Sequence, residues 1–358
     1  MRFGLGPYEL GADDGKPQVE VYEQMLEEAT QAEELGFDSI WLAESHFTPD
    51  GGCSSAEAAA AAVAMRTQAA RIGVFSTVTL THPLYVAEDV AVLDNIAGGR
   101  VIVAAQPGRP EEIAAYGIDP KVVNERFVEA LRVMLKAWAP ASFAYEGKFW
   151  KLPKKDYVGN PFAEGVTEIN VTPKPAQLNV PLWVYARDHA DVERAARLGF
   201  PIVGSPFDTA AELKAKRDLY ERAAAAAGRL TDGQIYPAIR EVYVSETMEE
   251  ARADTEEHLL SLYRAYHKRG VLVDAPGDFA ALARDRFIVG DVDHVCAEID
   301  RYQRSVGVNY LICRMSFPGM NASTAMAGIR FFGTAVIPEF RMASFPREIR
   351  RRTRLSGS

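Results

Sequence analysis

The stretch IGVFSTVTLTHPLYVAEDVAVLDNIAGGRVIVAA, residues 72–105, joins two β-rich runs through a helical pattern. Ile72–Leu80 and Val101–Ala105 are rich in β-branched residues, which is typical of strands. Between them, Pro83 stands where a helix tolerates proline near its start, and Gly98–Gly99 marks the helix end. Because a crossover helix must pack back on its own sheet, this order predicts a parallel β-α-β unit.

The same alternation extends over most of the chain. Eight runs predict strands: Arg2–Gly6, Asp38–Ala43, Ile72–Leu80, Val101–Ala105, Pro181–Tyr185, Pro201–Val203, Tyr236–Val244 and Tyr310–Arg314. At least one helical pattern follows each of them. Eight such units favour an α/β fold closed into a (β/α)8 TIM barrel, and no Gly-x-Gly-x-x-Gly follows the first strand to indicate a dinucleotide-binding unit.

No break in composition marks a linker, so we expect one barrel domain over residues 1–340 and a basic tail over residues 341–358. Two irregular stretches interrupt the alternation. Residues 143–175 predict an insertion and residues 270–286 a lid-like loop, and both would flank the barrel mouth and select the substrate. The arginine-rich run Arg347–Arg354 is more typical of a solvated terminus than of a basic interaction arm.

Composition excludes several classes of protein. The 358 residues carry a formal net charge of −9, which does not suit non-specific binding to nucleic acid. No apolar run approaches the ~18 residues of a membrane span, and no signal peptide opens the chain, so we expect a cytoplasmic protein. The three widely spaced cysteines, Cys53, Cys296 and Cys313, suit neither a disulfide framework nor a metal site.

Barrel enzymes place their chemistry where the strands end, so the residues after each strand are the candidates. Glu44, Ser45, His46 and Phe47 follow the second strand. In an extended segment Glu44 and His46 point to one side, and a carboxylate beside an imidazole suits acid–base work. The alternative is that the carboxylate hydrogen-bonds a loop and the histidine is structural.

Two further strand ends predict an anionic ligand. In Gln106–Arg109 the glycine and proline let the backbone approach a ligand, and Arg109 could pair with a phosphate or simply with one of the glutamates that follow it. Ala186–Asp188 precedes a helix, whose N-terminus with an adjacent arginine can bind an anion. Asp188 could instead cap that helix.

Ten stretches, taken together and in order, resemble the luciferase-like flavin monooxygenases. They are Leu35–Leu42, Glu44–Phe47, Ala87–Asp94, Gly98–Arg100, Arg109–Glu112, Tyr116–Gly117, Glu146–Trp150, Ile288–Asp291, Phe317–Met320 and Val336–Pro338. The resemblance implies a barrel, often a homodimer, that binds FMN at its mouth. It also implies reduced FMN from a separate flavin reductase, and reaction with O2 through a flavin C4a-hydroperoxide that oxidises a small organic substrate.

The resemblance also assigns roles to residues. It places the flavin phosphate near Gln106, Arg109 and the segment Ala186, Arg187 and Asp188. The flavin ring would pack at Phe75 and Ser76, where the family often has a non-prolyl cis peptide, and the catalytic group would be Glu44, Ser45 and His46. We expect the aromatic side chains Phe47, Phe75, Tyr185 and Phe207 in the pocket, which suggests a substrate with a ring or chain.

Three positions depart from the luciferase pattern. Ser45 stands where luciferase-type members have the catalytic first histidine, and a serine cannot act as a base near neutral pH. Gln106 replaces a reactive cysteine, and Pro107 replaces an arginine for which Arg109 could substitute. These departures weigh against the luciferase aldehyde reaction and light emission.

Three alternatives stand beside the flavin monooxygenase. A deazaflavin-dependent oxidoreductase would share the barrel and several of the motifs. A non-catalytic flavin-binding protein is compatible with the loss of the histidine at Ser45. A barrel hydrolase would use Glu44 with Glu241 or Asp188 as paired carboxylates, although no motif supports it.

Overall fold

Helices and strands alternate along the chain in the computed structural model, which describes residues 1–8, 17–47, 53–154, 165–231, 233–272 and 277–341. The strands are β1 Arg2–Tyr8, β2 Ser39–Ala43, β3 Arg71–Thr77, β4 Val101–Gln106, β5 Tyr145–Glu146, β6 Lys151–Leu152, β7 Leu182–Tyr185, β8 Ile202–Val203, β9 Pro237–Val244, β10 Phe287–Gly290 and β11 Tyr310–Arg314.

The helices cover the outside of the sheet. They are α1 Gln18–Glu34, α2 Ala56–Arg66, α3 Pro83–Ile96, α4 Pro110–Ala115, α5 Val123–Trp138, α6 His189–Leu198, α7 Ala210–Ala226, α8 Met248–Lys268, α9 Phe279–Asp285, α10 Val292–Arg301, α11 Ala322–Phe331 and α12 Ile337–Arg341. Short π-helical segments, Tyr302–Val306 and Phe332–Val336, follow α10 and α11. In the part of the chain with described structure, no helix is long and apolar enough to cross a bilayer.

Within these ranges nine strands form one parallel sheet, in the order β10-β9-β11-β1-β2-β3-β4-β7-β8. The sheet curls so far that Gly204, next to β8, pairs with Ala238 in β9. Two hydrogen bonds make this bridge, from Gly204 N to Pro237 O at 2.8 Å and from Ile239 N to Gly204 O at 3.0 Å. Parallel pairing brings the carboxyl ends of the strands to one rim, which confirms the predicted α/β class.

The strand β10 was not among the eight expected strands. It is only four residues long, and it pairs with the second half of β9, Glu241–Val244, while β11 pairs with the first half, Pro237–Glu241. A short run behind an irregular segment gives too few residues for the strand pattern to stand out.

Large aromatic side chains fill the interior of the curled sheet. The indole of Trp41 stacks on Trp183 at 5.2 Å between ring centroids and lies 5.3 Å from the ring of Phe75. A Cβ atom at Gly73 would lie 2.2 Å from that indole, so only glycine leaves room for it. Because side chains alternate along a strand, the inward set continues beyond Phe75 to the rim.

The two irregular stretches contain regular structure. In residues 143–175, β5 and β6 form an antiparallel hairpin, which buried Glu129 of α5 fixes by accepting hydrogen bonds from the backbone of Phe149 and Trp150. In residues 270–286 the prediction of a loop is wrong for the second half, which forms α9: Asp278 caps this helix, and Phe279 packs on Phe287 at 5.8 Å. Residues 155–164 and 273–276 of the two stretches lie outside the described residues.

The predicted tail lies outside the described residues from position 342 onward. Its first residue, Arg341, ends α12 and donates to the carboxylate of Asp38 at 2.6 Å.

The expected cis peptide between Phe75 and Ser76 is wrong. The described residues contain three cis peptides, Gly6–Pro7, Leu152–Pro153 and Thr172–Pro173, and each precedes a proline. The reason is that β3 pairs without interruption through both positions, Phe75 with Ala43 and Ala104 and Ser76 with Ala105, as in a regular trans strand.

Candidate active site

A cavity of about 600 Å³ opens at the rim where the strands end. Its volume is typical of a site for a small molecule. Residues after β2, β4 and β7 form one part of its wall, and the loop after β8, the end of β11 and residues of α8 and α9 form the other. Of the pocket aromatics expected from the sequence, Phe75, Tyr185 and Phe207 line it.

Phe47 does not belong to this wall. Its side chain is 68 % exposed and packs against His46 and Tyr116. The backbone φ of Phe47 is 59°, a left-handed conformation that ends the extended run and turns the side chain away from the cavity.

Glu44 and His46 form a hydrogen-bonded pair beside the cavity. Glu44 lines the cavity, its Oε1 lies 2.7 Å from His46 Nε2, and its Oε2 accepts from the backbone N–H of Thr77 at 2.5 Å. His46 is buried behind it. The hydrogen bond with Glu44 raises the pKa of His46 above its ordinary value, so a proton is held between the two side chains up to a higher pH.

Ser45 and Arg109 form a second polar group on the same wall. Arg109 Nη2 donates to Ser45 Oγ at 2.8 Å and to Glu112 Oε1 at 2.8 Å, while its Nε lies 3.2 Å from Glu111 Oε1. The pairing of this arginine with the glutamates that follow it is therefore present, and Arg109 still lines the cavity. The bonds fix the guanidinium group at the rim.

Gln106 of β4 faces the cavity, whereas Ser76 of β3 faces the helices outside the sheet. Gln106 lines the cavity and donates from Nε2 to Thr77 Oγ1 at 2.9 Å. Ser76, expected at the flavin ring, faces the helices instead, where its hydroxyl donates to half-buried Glu57 of α2 at 2.7 Å. Alternation along β3 explains this, because Phe75 is an inward position and the next residue must point outward.

The segment after β7 contributes one side chain to the cavity. Arg187 lines it, donating from Nη1 to Gly108 O at 2.9 Å and from Nε to Asp191 Oδ2 at 2.9 Å. Burial opposes ionisation of Asp191, but hydrogen bonds from Arg187 and Arg194 hold its pKa below the usual value. The pair therefore stays charged at neutral pH.

The two neighbours of Arg187 have structural roles. Asp188 caps α6, its Oδ1 accepting from the backbone N–H of Asp191 at 2.8 Å, as the capping alternative predicts. Ala186 is buried, and its carbonyl accepts from Lys216 Nζ at 3.3 Å. Neither residue is among those that bound the cavity.

Sequence reasoning did not anticipate the ion pair on the opposite wall. Arg314, at the end of β11, lines the cavity and pairs with fully buried Glu241 of β9 through two contacts, Nη2 to Oε1 and Nε to Oε2, the second at 3.2 Å. Tyr263 donates to Glu241 Oε1 at 2.9 Å, and Arg314 Nη1 donates to Tyr266 Oη at 3.1 Å. Arg314 and Glu241 are paired in the register of β11 and β9. The alternation of side chains along these two strands could have predicted that both residues point into the interior of the curled sheet.

Two arginine side chains hold the loop after β8 by donating hydrogen bonds to its backbone carbonyl groups. Arg240 donates to Ser205 O at 2.8 Å and Asp208 O at 2.9 Å, and Arg286 donates to Phe207 O at 2.8 Å. These bonds place the ring of Phe207 4.8 Å from that of Tyr266, edge to face. The aromatic wall on this side is therefore fixed by donors outside the loop.

The geometry does not support the hydrolase alternative. Glu241 is paired with Arg314, and Asp188 caps a helix, so neither of the two expected partners is available to Glu44 as a second catalytic carboxylate. Within the described ranges no group of three or more His, Cys, Asp or Glu side chains could hold a metal ion. Cys53, Cys296 and Cys313 are buried free thiols, as expected from their spacing.

The residues of one wall fit a flavin. Arg109 and Arg187 supply two guanidinium groups, which are suited to a phosphate, and the carbonyl of Gly108 links the turn between them. Phe75 and Tyr185 pack edge to face 6.0 Å apart beside them and offer an apolar surface for a flat ring. The donor set and the wall are thus those that an anionic, ring-bearing cofactor requires.

Comparison with known proteins gives one family. The model described as luciferase-like monooxygenase matches residues 1–309. The chain is 25 % identical over 266 residues to the oxygenase component of flavin-dependent trigonelline monooxygenase from Acinetobacter baylyi, covering 72 % of this chain and 69 % of that protein. It is also 31 % identical over 222 residues to an F420-dependent glucose-6-phosphate dehydrogenase from Kineococcus radiotolerans, covering 58 % of this chain and 59 % of that one.

The matches to several relatives are partial. The chain is 31 % identical over 153 residues to an uncharacterised protein of Sinorhizobium fredii, y4wF, and spans 45 % of its length. Among solved structures, monooxygenase RslO1 from Streptomyces bottropensis is similar with a TM-score of 0.81 and 25 % identity, over 95 % of this chain and all of that one. The oxygenating constituent of 3,6-diketocamphane monooxygenase from Pseudomonas putida, in complex with FMN, shares the fold with a TM-score of 0.78 and 21 % identity, over 94 % of this chain and 98 % of that one.

Proposed function

Because this chain belongs to the luciferase-like monooxygenase family, we propose that it is an FMN-dependent monooxygenase that uses reduced FMN and O2 to oxidise a small organic substrate. One observation carries the proposal. The guanidinium groups of Arg109 and Arg187 lie beside the aromatic wall of Phe75 and Tyr185 in a single cavity at the strand ends. The bridge from Gly204 to Ala238 supports the further proposal that the curled sheet closes as a (β/α)8 barrel, with β10 as an added strand.

The chain's residues would divide the work of holding the cofactor. Arg109 and Arg187 would bind the phosphate, and Phe75 and Tyr185 would pack against the ring. When bound, reduced flavin supplies the electrons that activate O2. A flavin ring packed against Phe75 and Tyr185 would exclude water from that face of the site, which strengthens polar interactions there.

Ser45 and the Glu44–His46 pair would handle hydrogen bonds and protons. The bond from Arg109 Nη2 orients Ser45 Oγ at the cavity wall, where the hydroxyl can bond a group in the site but cannot act as a base. The proton between His46 Nε2 and Glu44 Oε1 lies one side chain away from the cavity, and Glu44 is the member of the pair that lines it. This pair is our candidate for the catalytic acid.

The test of the cofactor site is an FMN titration followed by flavin fluorescence. We expect wild type to bind FMN and Arg187→Met to bind it about tenfold to hundredfold more weakly, the loss of a charge-assisted hydrogen bond. Arg197→Met is the matched control, because Arg197 lies in α6, the helix that follows Arg187, and pairs at the surface with Glu193 at 3.2 Å. Equal FMN affinity for wild type and Arg187→Met would refute this placement of the phosphate.

A deazaflavin-dependent oxidoreductase is the second candidate. The 31 % identity to an F420-dependent dehydrogenase favours it, because that value exceeds the identity to the trigonelline enzyme, although over a shorter region. The two candidates differ in cofactor and in their need for O2. If the protein binds coenzyme F420 more tightly than FMN and consumes no O2 with reduced FMN, the second function replaces the first.

We also propose that the protein is a homodimer that receives reduced FMN from a separate reductase. Three exposed apolar side chains, Tyr85, Val92 and Ile96, lie along one face of α3, and Met65 of the neighbouring α2 is 70 % exposed. Such a stripe is typical of a surface covered by a partner. Size-exclusion chromatography with light scattering should give a dimer for wild type and a monomer for Val92→Glu, and a monomeric wild type would refute the dimer.

A further inference from the structure

We propose that the wall formed by Phe207, Tyr266 and Arg314 is the substrate subsite, and that it takes a flat ring bearing a carboxylate or a similar anionic group. This inference rests on the proposed function, since it names the class of organic substrate that the flavin would oxidise. It concerns residues of β11, α8 and the loop after β8, none of which takes part in the proposed phosphate site.

The guanidinium group of Arg314 is already oriented for an anion. Glu241, which is fully buried, holds it from one side, and the hydroxyl of Tyr266 accepts from its Nη1 at 3.1 Å. An arginine fixed in this way loses little side-chain entropy when an anion binds to it. The Arg314 side chain nevertheless lines the cavity, because Arg314 is the last residue of β11.

The aromatic surface beside it suits a ring. Phe207 and Tyr266 lie edge to face at 4.8 Å, and two cations lie near the tyrosine ring, Arg269 at 5.3 Å and Arg314 at 5.8 Å from its centroid. Leu272 and Leu282 add apolar surface to the same wall. A flat ring can pack on this surface while its anionic group reaches Arg314.

The charged side chains of this wall favour an anionic ligand. Three cations, Arg269, Arg286 and Arg314, and two carboxylates, Asp208 and Glu212, line it, while Lys216 and Glu241 lie behind it as the partners of Asp208 and Arg314. Two of the carboxylates have partners behind the wall, Asp208 with Lys216 at 2.8 Å and Glu212 with the backbone N–H of Thr209 at 2.7 Å. The side chains that line this wall are thus three positive and two negative, a balance that favours an anionic substrate over a neutral one.

The experiment compares carboxylates with their neutral amides of the same shape. Calorimetry at pH 7.5 on the flavin-free protein measures the affinity for benzoate and benzamide, and for 2-naphthoate and 2-naphthamide. We expect at least one carboxylate to bind about tenfold or more tightly than its amide, as a charge-assisted hydrogen bond provides. The inference is overturned if neither carboxylate binds more tightly than its amide.

Variants locate the preference. Arg314→Met combined with Glu241→Gln removes both charges of the buried pair, so no unpaired charge is left, and we expect the carboxylate preference to fall to about twofold or less. Arg197→Met combined with Glu193→Gln, a surface pair of the same composition, should keep the full preference. A preference that survives in the first double variant but is lost in Arg109→Met would place the anion at the other wall and contradict the subsite.

The FMN titration keeps the two proposals separate. A carboxylate preference that depends on Arg314, in a protein that does not bind FMN, would refute the proposed flavin function but support the substrate subsite. FMN binding without any carboxylate preference would sink the subsite and leave the flavin function.

Discussion

Two arginine–glutamate pairs lie on opposite walls of one cavity, and they differ in how the fold builds them. Arg109 and Glu112 are three residues apart, at the start of α4, and the arginine side chain is 32 % exposed. Arg314 and Glu241 are brought together by strand pairing across the sheet, and their side chains are 8 % and 0 % exposed. The first pair is a local feature at the rim, whereas the second exists only once the sheet has formed.

The two glutamates are both buried, so the difference in burial between the two arginines should produce the largest effect. We expect Arg314→Met to lower the free energy of unfolding by about 3–5 kcal/mol, because it leaves the carboxylate of Glu241 buried without its cation. The double variant with Glu241→Gln should recover most of that loss, since neither charge remains. Urea unfolding monitored by circular dichroism measures both. If Arg314→Met costs no more than the double variant, the buried pair does not contribute as described.

The rim pair should cost less to break. We expect Arg109→Met to lower the free energy of unfolding by about 1–2 kcal/mol, because Glu112 still accepts hydrogen bonds from the backbone N–H groups of His46 at 3.1 Å and position 109 at 2.8 Å. The same urea titration measures this. FMN affinity should fall about tenfold in this variant, and a stability loss as large as that of Arg314→Met would erase the distinction between the two walls.

The smallest expected effect is a pH dependence of stability that comes from the Glu44–His46 pair at the rim. His46 has a pKa raised by Glu44, so the stability from this pair is fully present below pH ~6.5 and is lost as the pH rises through the raised value. We expect about 1 kcal/mol or less, and a flatter profile above pH ~6.5 in His46→Gln. Urea midpoints from pH 5 to 9 measure it.

A second, half-buried group titrates over a pH range that begins lower and serves as the comparison. Burial raises the pKa of Glu57 in α2 to about 7, so stability falls as the pH rises from its ordinary value of 4.5 to that point. Glu57→Gln should therefore flatten the profile below pH ~7 and leave the part above it unchanged. If His46→Gln leaves the stability profile above pH ~6.5 unaltered, the Glu44–His46 pair does not cause the pH dependence there.

Prediction from the sequence succeeded where structure is local. The alternation of strands and helices gave the parallel sheet, and the positions after β2, β4 and β7 contained Glu44, Arg109 and Arg187 on one wall. Asp188 as a cap and the pairing of Arg109 with its neighbouring glutamates also follow from spacing alone. Capping and i,i+3 contacts depend on a few consecutive residues, which the sequence contains in full.

Features that depend on distant pairing or on single dihedral angles were missed. Arg314 and Glu241 lie side by side because of the register between β11 and β9, and a pattern of consecutive residues does not predict that register. Ser76 faces the helices because the inward side of β3 is set by Phe75 and Gly73 against Trp41. Phe47 turns outward through one left-handed φ angle, which a residue other than glycine rarely adopts.

The central claim is that this cavity controls the reaction of reduced flavin with O2. Its most direct test mixes the protein and one equivalent of reduced FMN, prepared without oxygen, with oxygenated buffer and follows the return of oxidised flavin absorbance. We predict a return slower than that of free FMN, and a rate close to that of free FMN when Arg187→Met replaces wild type. A wild-type rate equal to that of free FMN, in a protein already shown to bind FMN, would contradict the account.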